Sequence, residues 1–265
     1  MSCLAQKIRS LSEDFVHVST RLTYVPLAPY DAGACIGAVL ALLDQEGNYL
    51  PQKSTLQTPF LGPAYSDTEI ESLLRQCHWS YTRCENYPAE AAREIMAGRV
   101  VGWFQGGLEF GARALGARSI LGDPRKIETR EHINRAVKRR ENYRPFAPSV
   151  LEEHANDYFN LSINRFMSEV VQAKPLAHKS VPAVVHIGGT SRPQTVPKEW
   201  PLRSYRRLIE EFHALTGVPM VLNTSFNVKG EPIVCSPEDA LRCFAASGLE
   251  TLVIGPFVVR KPIVS

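Results

Sequence analysis

The chain has 265 residues, 44% of them hydrophobic and 22% charged, with a formal net charge of +3. That is the balance of an ordinary globular protein, long enough for one large domain or two smaller ones. A charge this small does not mark a nucleic-acid binder, so any basic chemistry has to come from local clustering.

Six cysteines, at positions 3, 35, 77, 84, 235 and 243, form no CxxC pair and have no histidine ladder beside them, a pattern of reduced thiols rather than a zinc site. No apolar run approaches the roughly 20 residues of a membrane helix, and the N-terminus lacks the charged-then-apolar order of a signal peptide. A soluble, cytoplasmic protein is expected.

In chain order, Asp31 and Gly33 precede a small-residue run that predicts a closely packed helix ending near Gly47. Ser66 followed by Glu69 has capping-box spacing, with Ile70, Leu73 and Leu74 on one face of the helix it starts. A second short helix, "PAEAAREIMAGR", is stopped by Gly98. From "RVVGWFQ" onward apolar runs at 100–104, 148–151, 183–187, 219–222 and 251–259 alternate with helical patterns, which predicts an α/β fold with a domain boundary near 92 to 98. Helices are expected at 202–216 and from Pro237, the latter capped by Ser236. Residues 160–180 and 188–200 read as long loops over a site.

Three stretches carry candidate chemistry. In "QGGLEFGARALGARSILGDPRK", Gly106, Gly107, Gly111 and Gly116 let backbone amides approach a ligand, with Arg113 and Arg118 five residues apart. A guanidinium suits phosphate because its planar fork donates two hydrogen bonds at once. Between 109 and 144, ten basic residues face five acidic ones, a net +5 that exceeds the charge of the whole chain. Arg130, Arg135 and Arg139 read as a solvated helix face, whereas Lys138, Arg140 and Arg144 lead into "RPFAPS", where prolines force an extended chain.

In "LNTSFN", Asn223, Ser225 and Asn227 emerge at the end of an apolar strand, a usual place for ligand contacts, though an Asx-type turn explains them too. "HIGGTSRPQTV" adds His186, Thr190, Arg192 and Gln194, with Arg192 the better ligand candidate and His186 readable as a core histidine. The phosphate-loop, dinucleotide, nucleophile-elbow and HExxH motifs are absent. Cys235 and Cys243 have no base spaced to activate them and read as structural thiols.

Taken together, "GWFQGGLEFGARALGARSIL", "KRRENYRPFAPS", "HIGGTSRPQTV" and "TGVPMVLNTSFNVKGEPIVCSPEDALRCF" resemble the C-terminal half of the O-carbamoyltransferases of nodulation-factor and antibiotic biosynthesis, densely over 93 to 262. The resemblance implies a YrdC-like twisted mixed sheet with helices over 93–265, preceded over 1–92 by a partial ASKHA-type α/β segment. It implies that carbamoyl phosphate and ATP, with Mg2+, give carbamoyl adenylate and pyrophosphate, and that transfer to an acceptor takes place in a preceding metal-bearing domain.

Lys138 with Arg140, and Ser225 with Asn227, correspond to the family's K-x-R and S-x-N pairs. Donor and nucleotide ligands fall by motif on Arg113, Lys138, Arg144, Arg192 and Ser225, beside the residue-level candidates Arg118, Arg140, Thr190, Asn223 and Asn227. Of the preceding half's metal ligands only Asp31 is matched, so Fe2+ or another divalent metal is implied only together with a second polypeptide that carries that half. Two other readings stay open: a non-catalytic nucleotide-binding or regulatory subunit, and, weakest given the low charge, binding of double-stranded RNA.

Overall fold

The computed structural model describes residues 31–47, 58–161 and 163–261. Its centre is an eight-stranded mixed sheet in the order β1 (Tyr81–Arg83), β10 (Phe257–Arg260), β9 (Thr251–Ile254), β2 (Val101–Phe104), β3 (Arg118–Gly122), β8 (Met220–Ser225), β4 (Ala147–Leu151), β7 (Gln194–Val196). A separate antiparallel pair joins β5 (Val171–Gln172) to β6 (Thr190–Ser191). The pairs β2–β9 and β4–β7 are parallel and the other pairs of the large sheet are antiparallel.

β2, β3, β4 and β9 are buried along their whole length, as strands covered on both faces must be. Alternation along β2 sends Trp103 to one face, against Tyr87 and Tyr205 of the packed helices Tyr87–Met96 and Arg203–Thr216. Gly102 turns to the other face, where a Cβ would come within 3.0 Å of Phe226. Helix Pro237–Ala246 packs against β2 and against helix Asp67–Gln76. Both of these helices begin with a reciprocal capping box, Ser66 with Glu69 and Ser236 with Asp239. Helix Arg203–Thr216 ends at Gly217, whose φ of 74° suits a residue without a Cβ.

Three expectations shift. The apolar run 183–187 is not a strand: Pro182 starts a 3-10 turn, Pro182–Val184, and Ala183 N–H donates to Pro124 O. Residues 160–200 hold two short strands, a helix Pro175–Ser180 and β7 rather than loops alone. The helix entering the basic segment runs Ile127–His132 and widens into a π turn, Ile133–Val137, leaving Arg139 at φ 47° with its guanidinium on Ala246 O. Strand β1 pairs with β10, and helix Tyr87–Met96 shares a core with the sheet. The helix Asp31–Gln45 is present; the side chain of Asp31 lies outside the described residues.

The π turn delivers Lys138 to the end of β8. Lys138 is 3% exposed, and its ammonium donates to Ser225 O and Oγ and to Asn227 O and Oδ1. Burial, aided by the Arg140 cation, pushes its pKa down to about 7. A lysine whose folded pKa is depressed binds fewer protons in the folded than in the unfolded chain between the two values, so stability rises with pH across that window. The stability difference between wild type and Lys138→Met, from urea unfolding, is expected to be flat below pH 7 and to grow from there toward the lysine's ordinary 10.5, by at most about 1.4 kcal/mol per pH unit. A difference independent of pH contradicts this.

Candidate anion-binding cleft

The register around β8 determines what meets at its C-terminal end. Ser225 pairs with Ser119 and Asn223 with Ala147, so the N-terminal ends of β3 and β4, both antiparallel to β8, arrive there. β7 runs parallel to β4, Gln194 beside Ser149, and brings its own N-terminal end to the same edge. The residues just before these three strands therefore converge: Arg113 before β3, Arg140 before β4 and Arg192 before β7. They share the wall of a cleft of about 160 Å³ with Ala112, Phe146, Met167 and the β8 residues Asn223, Thr224 and Ser225.

The three guanidiniums are half-buried, and among the described wall residues none carries a carboxylate. Arg140 is aimed by Asn134, whose Oδ1 accepts from Nε at 2.7 Å, and by the Phe146 ring 4.9 Å beneath. Burial, then the neighbouring Arg144 cation, lowers its pKa. The Arg192 charge is felt at His186, whose pKa falls through burial first and that cation second. Fixed cations in a partly desolvated hollow attract an anion more strongly than the same cations in water.

The loop that carries Arg113 is rigidly supported. Glu109 Oε1 accepts from the amides of Leu115, Ala117 and Arg118 at 2.8, 2.6 and 3.1 Å. The carbonyls of Ala114, Leu115 and Gly116 accept from Asn223 Nδ2, Gln194 Nε2 and Trp103 Nε1. Gly116, at φ 111°, lies so close to Tyr205 that a Cβ would fall 2.2 Å from the ring. The amides of Leu115, Ala117 and Arg118 thus serve the loop itself.

Several candidates are engaged in structural contacts, some of them in the cleft wall itself. Arg118 is fully buried; its guanidinium lies 3.5 Å over Phe104 and donates to the carbonyls of Gln105, Gly106, Ala117 and Pro63. Burial pushes its pKa down to about 10. Asn223, 1% exposed, also donates to Ser149 Oγ at 2.9 Å, so it ties β8 to the loop. Lys138 is turned into the strand end and occupies Ser225 and Asn227, whose own side chains are joined at 2.7 Å. Arg144 pairs with Glu141 at 2.9 Å, outside the cleft wall, while its carbonyl is held by Asn134. Thr190 sits in β6 with its hydroxyl 3.1 Å from His186 Nδ1. Glu109 and Asn134, which sequence reasoning did not select, do the orienting; a lone acid among glycines and a lone Asn in a basic helix give no periodic signal.

A larger hollow, about 730 Å³, lies at the other end of these strands, around Gly98, Gly248 and Lys261. Its cations are engaged: Arg99 and Arg260 with the buried Glu94, and Lys261 with the carbonyls of Ser247 and Ala245. Among the described residues no three His, Cys, Asp or Glu side chains converge as a metal site. No helix among them is long and apolar enough to cross a membrane.

Nodulation protein NolNO of Sinorhizobium fredii is 43% identical over 90% of this chain and 36% of its own length, and nodulation protein NolO of Bradyrhizobium diazoefficiens is 41% identical over 90% and 44%. The chain thus spans well under half the length of these relatives. A solved structure of full-length HypF in the phosphate- and nucleotide-bound form is similar at TM-score 0.47 and 18% identity, over 63% of this chain and 24% of that one. Residues 92–261 match the family described as carbamoyltransferase C-terminus, and the chain belongs to that family.

Proposed function

We propose that the cleft holds the phosphorylated carbamoyl donor and that the chain performs the activating half of a carbamoylation. The observation that carries this is the meeting of Arg113, Arg140 and Arg192 in the wall of one small hollow, in a chain of a carbamoyltransferase family. At about 160 Å³ the hollow is below the roughly 300–1,000 Å³ of sites for drug-sized ligands. It suits a small dianion such as carbamoyl phosphate, with most of a nucleotide lying outside it.

In the proposed reaction water cleaves the donor's mixed anhydride, releasing inorganic phosphate and carbamate. A carbamate oxygen then attacks the α-phosphorus of ATP, and the bond to the β,γ-phosphates breaks, giving carbamoyl adenylate and pyrophosphate. Both steps bring anions together and build charge on a leaving phosphate. Positioned guanidiniums offset that charge without a protein nucleophile.

Transfer to a hydroxyl or amine of a small metabolite is assigned to a further polypeptide corresponding to the rest of the relatives' length. Helix Asp31–Gln45 supports such a partner: Val39, Leu40 and Leu42 are 58%, 41% and 54% exposed, and apolar surface of this kind is commonly covered in an assembly.

Isotope exchange of pyrophosphate into ATP, dependent on carbamoyl phosphate, tests the activation step, with the chain alone and with the N-terminal portion of a full-length nodulation relative. Exchange is expected, and Arg140→Ala or Arg192→Ala should lower its rate on the order of 10²–10³-fold while leaving the fold intact. Donor binding without exchange under either condition makes the chain a binding subunit and overturns the catalytic reading.

A further inference from the structure

Glu109 is not part of the cleft's wall, yet it organises the loop that supplies one of the cleft's three cations. It is 3% exposed, and a single carboxyl oxygen gathers the amides of Leu115, Ala117 and Arg118. On the incoming side of the same loop, Leu108 N–H donates to Pro63 O at 3.0 Å and Phe110 N–H to Pro59 O at 2.7 Å. Between these two anchored shoulders lies the tip, Gly111, Ala112, Arg113 and Ala114, with Gly111 at φ 110°. A tip of four residues between fixed shoulders has little room to choose where its side chains point.

The geometry points to Glu109 as a positioning residue of the donor site: by collecting three amides on one oxygen it fixes the outgoing shoulder of the loop and, through it, the place of the Arg113 guanidinium in the cleft. This rests on the reading of the cleft as a phosphate-binding site. The role asks for an acceptor at one particular reach. Aspartate keeps the acid but withdraws the oxygen by one methylene, about 1.5 Å, whereas glutamine keeps the reach and offers a carbonyl oxygen in the same place.

Inorganic phosphate is the probe, titrated calorimetrically into wild type, Glu109→Asp, Glu109→Gln, Arg113→Ala and the Glu109→Asp/Arg113→Ala double variant, each checked for folding by circular dichroism. Glu109→Asp is expected to weaken phosphate binding on the order of ten- to a hundredfold, the scale of a misplacement of about 1 Å. Glu109→Gln is expected to recover most of that loss. Once Arg113 is alanine, the aspartate should cause no further loss, because the group it displaces is gone.

Unchanged affinity in Glu109→Asp, a loss that persists in full in the Arg113→Ala background, or a wild type that binds no phosphate overturns the inference. Should Glu109→Asp fail to fold, Glu109→Gln decides: near wild-type affinity supports it, and a loss as deep as that of Arg113→Ala overturns it. The two readings fail separately. Phosphate binding with the expected coupling but no carbamoyl-phosphate-dependent exchange removes the catalytic reading and leaves Glu109 in its role.

Discussion

Everything at the cleft depends on the register of three strands about β8. With β3 and β4 antiparallel to it, and β7 parallel to β4, the chain enters each flanking strand at the end where β8 finishes. That pairing places residues 113, 140 and 192, each preceding its strand, at one end of the sheet. The buried apolar faces of those strands set the register: sliding one residue would turn β8's Val221 and β4's Val150, both fully buried, to the wrong face. Packing of the core and assembly of the site are therefore one event, and the hydrophobic energy that folds the sheet also holds mutually repelling cations close together.

The protein distributes its basic residues by task. Arg118 and Lys138 are buried donors that satisfy carbonyls left over where strands end, Arg139 ties the basic segment to Ala246, Arg144 pairs within that segment with Glu141, and Arg113, Arg140 and Arg192 line the hollow. The first group is costly to bury, as the lowered pKa values of Arg118 and Lys138 show. What that cost gives in return is rigidity at the mouth of the site, where a flexible loop would let the guanidiniums drift apart.

Much of the fold was legible in the residues. The capping box at Ser66, the cap at Ser236, the Pro237 start, the helix expected at 202–216 and the apolar runs of β2, β4, β8, β9 and β10 all follow from local rules that the tertiary structure respects. β3 was hidden because its five residues, RSILG, begin with a buried arginine that reads as polar, and β1 because three residues at a sheet edge carry no pattern. At the site, type and neighbourhood identified the basic cluster but not its division of labour. Only the fold reveals that Lys138 looks inward to Ser225 and Asn227, that Arg144 turns to Glu141, and that Glu109 gathers amides of the loop that carries Arg113.

The most direct measurement is a crystal structure of the protein grown with carbamoyl phosphate or, failing a stable complex, inorganic phosphate. The account predicts the phosphoryl group within hydrogen-bond reach of Arg113, Arg140 and Arg192 together, with the Gly106–Arg118 loop unmoved. A phosphate bound instead in the hollow around Gly98 and Lys261, or one that leaves any of the three arginines turned away from it, would contradict the account.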